Sequence, residues 1–148
     1  MIEATISAAL EESVADVLEK MFFVRWEPSE SNQGTAERET CANVSFRGSP
    51  SGVLALRVTQ KEARSIAADF LGASEEELSE RQIEEVICEL ANMICGSVLS
   101  RIESTTTFQL AEPSIVTPEP SPSATKDALC HVVALAGGSL TVVLKTEP

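Results

Sequence analysis

The sequence is poor in aromatic and basic residues. It has no tyrosine, one tryptophan, and 11 Lys or Arg against 23 Asp or Glu, so its formal net charge is −12. A nucleic-acid-binding protein needs a basic surface, so this charge disfavours that class, and it disfavours binding to anionic membranes for the same reason. No run of eighteen apolar residues occurs, so we expect no membrane-spanning helix.

Cysteine and histidine are too few and too widely spaced to predict a zinc site. The four cysteines form no CxxC pair, and the one histidine, His131, lies in a strand pattern that favours a structural role. We interpret the cysteines as small buried thiols, which fits a reducing cytoplasmic compartment. The N-terminus lacks the basic region and the unbroken apolar region of a signal peptide, which also favours the cytoplasm. The cysteines are Cys41, Cys88, Cys95 and Cys130.

Helical periodicity and start signals predict three helices. They cover residues 2–21, residues 59–70, and residues 79 to about 102. Two capping-box patterns, TQKE at 59–62 and SERQ at 79–82, open the second and third helices. Polar residues from 27 to 40 and a proline-rich stretch from 117 to 126 predict loops. The predicted apolar side of the first helix consists of Ile2, Ile6, Ala9, Leu10, Val17 and Met21.

Two segments of the chain share one plan. NVSFRGSPSGVLALRVT and HVVALAGGSLTVVLKT each indicate a strand, a turn with glycine, a second strand and a threonine. Each follows a long amphipathic helix and a single strand or apolar run. A duplicated unit of helix, strand and hairpin would explain this pattern, and chance similarity of two hairpins is the alternative.

The third predicted helix carries an unusual polar line. At about 100° per residue, Glu85, Glu89, Asn92 and Gly96 stack on one face. Asn and Gly weaken a helix interior by about 0.5 and about 1 kcal/mol relative to alanine. An ordinary solvated face explains Glu and Asn at this spacing, but the first helix has no such line, which favours a function. The opposite face is an apolar core stripe of Ile83, Ile87, Leu90, Ile94 and Val98.

The side chains of the polar line suit the positioning of a water molecule. A carboxamide such as that of Asn92 offers a donor and an acceptor at fixed separation and does not titrate. A side-chain amide holds the attacking water in small GTPases. Glu89, one turn earlier, could pair with a lysine of a partner, and Gly96 would allow another molecule to approach closely.

The segment CELANMICG, within EEVICELANMICGSVLSRI, resembles the signature helix of the CheC/CheX/FliY phosphatases of bacterial chemotaxis. The family pattern is Asp or Ser, three residues, Glu, two residues, Asn, and a proline some twenty residues later. Glu89 and Asn92 match the Glu and the Asn, and Pro113 lies close to the expected proline. The resemblance covers the whole chain, and the single copy of the motif is most similar to the CheX branch.

The resemblance implies an α+β domain over residues 1–148 with the CheC-like fold. Two pseudo-repeats of helix, strand and hairpin would form a mixed sheet packed by long helices. The implied function is dephosphorylation of the phospho-aspartate of a CheY-like response regulator in two-component signalling. Asn92 would position the attacking water, Glu89 would bind the regulator's active-site lysine, and Glu85 and Gly96 would contact the partner. The protein would be a homodimer without a cofactor of its own, because the regulator supplies Mg²⁺.

Glu85 keeps an alternative open. It occupies the Asp or Ser position of the family pattern, and its longer side chain would shift any contact made there. If Glu85 crowds the docking surface, the protein would be a non-catalytic CheX-like module that binds the regulator. A dimerisation module is the other alternative, because exposed sheet edges support self-association.

Overall fold

The computed structural model describes residues 2–22, 24–29, 38–102, 107–117 and 128–147. Helices and strands are both present, so the predicted α+β class is confirmed. Most of the predicted polar loop, residues 30–37, and of the proline-rich excursion, residues 118–126, lies outside the described residues. In chain order the elements are α1 (Ile2–Asp16), a π-helical turn (Val17–Met21), β1 (Glu27–Ser29), β2 (Glu39–Arg47), β3 (Ser51–Thr59), α2 (Gln60–Leu71), a 3₁₀ turn (Glu75–Glu77), α3 (Glu80–Ser100), β4 (Gln109–Leu110), β5 (Ser114–Val116), β6 (Ala128–Leu135) and β7 (Gly138–Glu147).

The strands of the described residues form one sheet. Its order is β1-β6-β7-β3-β2-β4, and β5 also pairs with β2. Every one of these pairings is antiparallel, so the expected mixed sheet is wrong in this respect. The reason is topological: each hairpin is antiparallel by construction, and the two hairpins meet through their second strands, β3 and β7, which run in opposite directions.

The strand order agrees with two pseudo-repeats. The hairpins β2–β3 and β6–β7 meet at the centre of the sheet. The short strand that precedes each hairpin pairs with the first strand of the other hairpin, β1 with β6 and β5 with β2. From either edge the order is therefore single strand, first hairpin strand, second hairpin strand. The helix-strand-hairpin architecture expected from the sequence is confirmed at the level of topology.

The hydrophobic core lies between the sheet and the helices. The apolar stripe predicted for α3 is confirmed, because its five residues are at most 3% exposed. Alternate residues of the central strands face this stripe, as the two-residue period of a strand requires. These residues are Ala42, Val44, Phe46, Leu54, Leu56, Val58, Leu140, Val142 and Leu144.

The first helix changes geometry before its predicted end. It is α-helical to Asp16 and continues as the π-helical turn Val17–Met21. A π-turn has more residues per turn than an α-helix, so it rotates the side chains that follow. Met21 is consequently 49% exposed, and its assignment to the buried apolar side is wrong.

The predicted capping box at residues 59–62 does not form. Thr59 precedes α2, but its side chain makes no capping hydrogen bond. Instead, the backbone N–H of Ser139 donates to Thr59 Oγ1 at 3.4 Å, and that of Gly137 donates to Glu62 Oε1. The β6–β7 turn lies against the start of α2, and its backbone N–H groups bond to the two side-chain oxygens that a capping box would use. A Cβ on Gly138 would lie 2.0 Å from Thr59 Oγ1, so this close approach requires glycine.

The four cysteines are free thiols in different environments. Cys41 and Cys95 are buried as predicted, and burial raises the pKa of the Cys95 thiol to about 12. Cys88 is half-buried, and Cys130 is exposed. The prediction of buried thiols is therefore wrong for Cys130, because its side chain alternates with that of His131 and points to the sheet face opposite the core.

None of the described helices combines the length and the apolar character needed to cross a membrane. Among the same residues, no three His, Cys, Asp or Glu side chains lie together as a metal site would require.

Candidate functional site

Helix α3 is fixed at both ends. Ser79 Oγ accepts from the backbone N–H of Gln82 at 3.1 Å, and Gln82 Oε1 accepts from the backbone N–H of Ser79 at 2.9 Å. The capping box predicted at residues 79–82 is therefore confirmed. Beyond the other end, the Arg101 guanidinium contacts Asp16 of α1, and its Nε lies 3.6 Å from Glu12 Oε2. With one face buried as well, α3 presents its opposite face as a rigid surface.

The polar line occupies this outer face. Glu85 and Glu89 are exposed, and Asn92 and Gly96 are half-buried. A Cβ built on Gly96 meets no atom within 4 Å, so the space beside it is open. The Asn92 side chain is thus not enclosed in the core, and another molecule can reach the line along its length.

The acids of the line differ in their partners. Glu85 Oε1 lies 3.2 Å from Arg81 Nε, one turn earlier, and both side chains are largely exposed. Such a pair contributes little to stability. Within the part of the chain that the structure describes, the side chains of Glu89 and Asn92 have no hydrogen-bond or ion-pair partner. Both groups are available to a second molecule without loss of an internal bond.

An apolar groove of about 420 Å³ lies beside the polar line. Apolar side chains from three elements form it, and Glu85 and Glu89 belong to its acidic rim. We use "apolar groove" for Met21, Phe70, Leu71, Val86 and Met93, with Gln82, Glu85 and Glu89 at its rim.

Local structure explains how the apolar groove is built. The π-helical turn points Met21 outward, and α2 ends at Gly72, whose φ of 66° is the left-handed conformation of a helix C-cap. Phe70 stacks on Phe22 with ring centroids 4.6 Å apart. Sequence patterns did not reveal the groove, because its walls come from elements far apart in the chain. The one available signal was the pair Phe70 and Leu71 directly before the glycine, on a helix end.

Pro113 lies at the start of an edge strand. It is half-buried and directly precedes β5, a strand that contacts α3 and pairs with β2. A proline suits this place because it cannot donate a hydrogen bond to a neighbouring strand.

His131 belongs to β6 rather than to the α3 face. Its Nε2 is buried and has no hydrogen-bond partner within the described residues. Burial lowers the pKa of His131, although the carboxylate of Glu11 acts in the opposite direction. A neutral, partly buried imidazole is consistent with the structural role that the sequence favoured.

The fold and the exposed motif together define a CheC-like α+β protein. The family model described as "Chemotaxis phosphatase CheX" matches residues 40–135, which is more than half of the chain and includes all of α3. The chain therefore belongs to the CheX family of chemotaxis phosphatases. Among curated proteins, none matches the chain.

Several solved structures share this fold. Chemotaxis protein CheX from Vibrio vulnificus is 18% identical, with a TM-score of 0.75 over 96% of each chain. CheX from Desulfovibrio desulfuricans is 22% identical, with a TM-score of 0.75 over 96% of this chain and 99% of that chain. CheX in the CheX-CheY-BeF3-Mg+2 complex from Borrelia burgdorferi is 16% identical, with a TM-score of 0.73 over 95% of this chain and 97% of that chain. These similarities confirm the expected CheC-like fold.

Proposed function

We propose that this protein dephosphorylates the phospho-aspartate of a CheY-like response regulator, and that Glu89 and Asn92 carry the activity. The main support is a carboxylate and a carboxamide, one turn apart on the exposed face of a rigid helix, that have no partner among the described residues. Membership in a family of chemotaxis phosphatases supports the reaction class. The complex of a CheX of the same fold with CheY, BeF3 and Mg²⁺ supports the kind of partner.

The proposed reaction divides the chemistry between the two proteins. Water attacks the phosphorus, the bond from phosphorus to the aspartate oxygen breaks, and the products are inorganic phosphate and the free carboxylate. The regulator supplies Mg²⁺ and its own lysine, so this protein needs neither a nucleophile nor a cofactor. Asn92 accepts a hydrogen bond from the water and holds it in line with the phosphoryl group. The contribution is geometric, because α3 is already ordered before the partner arrives.

Glu89 has the docking role in this proposal. Its carboxylate pairs with the regulator's lysine and sets the position of Asn92, while the open space at Gly96 lets the regulator approach α3. The contact with Arg81 draws the Glu85 carboxylate towards the start of the helix, away from Asn92. The longer Glu85 side chain is therefore compatible with catalysis, and the activity assay below decides between catalysis and the non-catalytic alternative.

We also propose that the protein forms a homodimer in the cytoplasm. The described sheet ends at β1 on one side and at β4 and β5 on the other. Edge strands have unpaired backbone groups that can bind a second copy. Dimerisation and catalysis are compatible, because the proposed site lies on a helix and not on a sheet edge.

The decisive experiment is an assay of phosphoryl decay on the CheY-like regulators of the host. Each regulator is phosphorylated with a small phosphodonor in the presence of Mg²⁺, and its decay is followed with and without a substoichiometric amount of this protein. We expect faster decay and multiple turnovers for at least one regulator. Binding to a phosphorylated regulator without acceleration for any of them would establish the non-catalytic alternative instead.

A further inference from the structure

We propose that the apolar groove is a specificity pocket that receives one aliphatic or aromatic side chain of the response regulator, next to the lysine that Glu89 binds. This inference rests on the proposed function and adds the chemistry by which a regulator is selected. The rim shared by the groove and the polar line carries the argument: Glu85 and Glu89 belong to both, so a protein that docks on Glu89 lies beside the groove.

The apolar groove collects most of the exposed large hydrophobic side chains in the described residues. Five such side chains are exposed, and Met21, Phe70 and Leu71, at 49%, 40% and 46%, all line the groove. Single exposed apolar residues are normal on a protein surface, but a contiguous group rimmed by polar residues marks an interaction site. The apolar area is therefore concentrated where the proposed partner docks.

The walls of the groove are both defined and adaptable. Phe70 is held by its stacking on Phe22, and Val86 is buried in α3. Met21 and Met93, at the two sides, have flexible thioether side chains that adjust to the shape of an apolar guest. This combination suits a pocket that accepts apolar side chains as a class, with an affinity that differs from one apolar side chain to another.

Charge selects the kind of surface that can bind there. The rim contains Glu89, which has no partner among the described residues, and Glu85, which is paired with Arg81; the residues that line the groove include no Lys, Arg or His. An apolar side chain next to a lysine or an arginine fits both features, whereas one flanked by acids is repelled. A second copy of this chain fits poorly, because a two-fold contact through the groove would place the acidic rims of two copies, each with a net charge of −12, against each other.

The test replaces apolar surface at the groove and leaves the reacting groups unchanged. In the double variant Met21→Gln with Leu71→Gln, both side chains keep nearly their length but become polar. In the matched control, Met21→Leu with Leu71→Met, both remain apolar. Thermal unfolding verifies that each variant is folded. We expect both to fold, because Met21 and Leu71 are about half exposed. Steady-state dephosphorylation gives KM and kcat, and titration with the beryllofluoride-activated regulator gives Kd.

We expect KM and Kd of the glutamine variant to rise about tenfold, with kcat within about twofold of the wild type, because removal of uniform binding leaves turnover unchanged. The apolar control should remain within about twofold in all three. A glutamine variant with unchanged Kd would overturn the proposal. The proposal would also be overturned if the glutamine variant changed from dimer to monomer in sedimentation while its KM stayed constant, because a second copy of the chain would then be the molecule that occupies the groove.

The measurements separate this inference from the proposed function. If the wild type binds a regulator but does not hydrolyse its phosphoryl group, the proposed function fails, and Kd alone still decides whether the groove receives the regulator. If the wild type hydrolyses and the glutamine variant is unimpaired in KM and Kd, the groove proposal fails alone. If the wild type binds none of the host's regulators, both proposals fail.

Discussion

Replacement of Asn92 by alanine should change activity and stability in opposite directions. The Asn92 side chain lies near the middle of α3, is half-buried, and has no hydrogen-bond partner in the described residues. Its removal therefore costs no internal bond, and the higher helix propensity of alanine should raise the free energy of unfolding by about 0.5 kcal/mol. For a chain of this size, that gain corresponds to a rise in Tm of roughly 1–2 °C.

Activity should fall steeply in the same variant. A preorganised polar group that acts at the transition state contributes about 3 kcal/mol, and its loss lowers the rate about a hundredfold. Because Glu89 remains, Kd for the beryllofluoride-activated regulator should stay within about twofold. Asn92→Ala should thus bind its partner, fold more stably than the wild type, and no longer accelerate hydrolysis.

Three measurements on one protein preparation check this prediction: decay of the phosphorylated regulator, titration of the activated regulator, and thermal unfolding. Asn92→Gln is an informative companion, because it keeps the carboxamide and displaces it by one methylene group. If catalysis depends on placement, Asn92→Gln should also lose most of its activity. An Asn92→Ala protein with full activity, or one whose loss of activity follows a loss of binding or of stability, would refute the reasoning.

Three further predictions use the same protein. Glu89→Lys should weaken binding to the activated regulator more than Glu89→Ala does. Glu11→Lys makes an equal change of charge on another helix and should have little effect. If Glu89→Lys and Glu11→Lys weaken binding equally, binding responds to net charge alone. Gly96→Ala should raise the free energy of unfolding by about 1 kcal/mol, because its new Cβ meets nothing within 4 Å, and should raise KM if the regulator approaches that position; a destabilised Gly96→Ala would contradict the open space. Burial lowers the folded-state pKa of His131 below its ordinary value of 6.5, so the unfolded chain binds more protons, and the free energy of unfolding falls as the pH decreases below about 6.5. Denaturation at pH 7.5 and 5.5 should show a smaller loss of stability for His131→Gln than for the wild type, and equal losses for the two proteins would contradict this.

Much of α3 followed from its sequence alone, because the relevant signals are local. The 3.6-residue period separates the polar line from the buried stripe, and both lie where the period places them. The capping box at Ser79 and Gln82 forms from residues three apart, so neighbouring segments do not disturb it. The order of helices and hairpins followed from period and turn signals, and one motif, Glu89 with Asn92, was enough to indicate the family.

The tertiary structure alone decided the features that depend on residues far apart in the chain. Thr59 and Glu62 have the pattern of a capping box, but the β6–β7 turn, about 75 residues away, offers backbone donors that take their oxygens. Met21 continues an apolar period, but the π-helical turn rotates it outward, where it lines the same groove as Leu71 of another helix. The sequence determined which groups the outer face of α3 carries, because a helix repeats over a few residues. Packing decided what lies beside that face, because a groove exists only where separate elements meet.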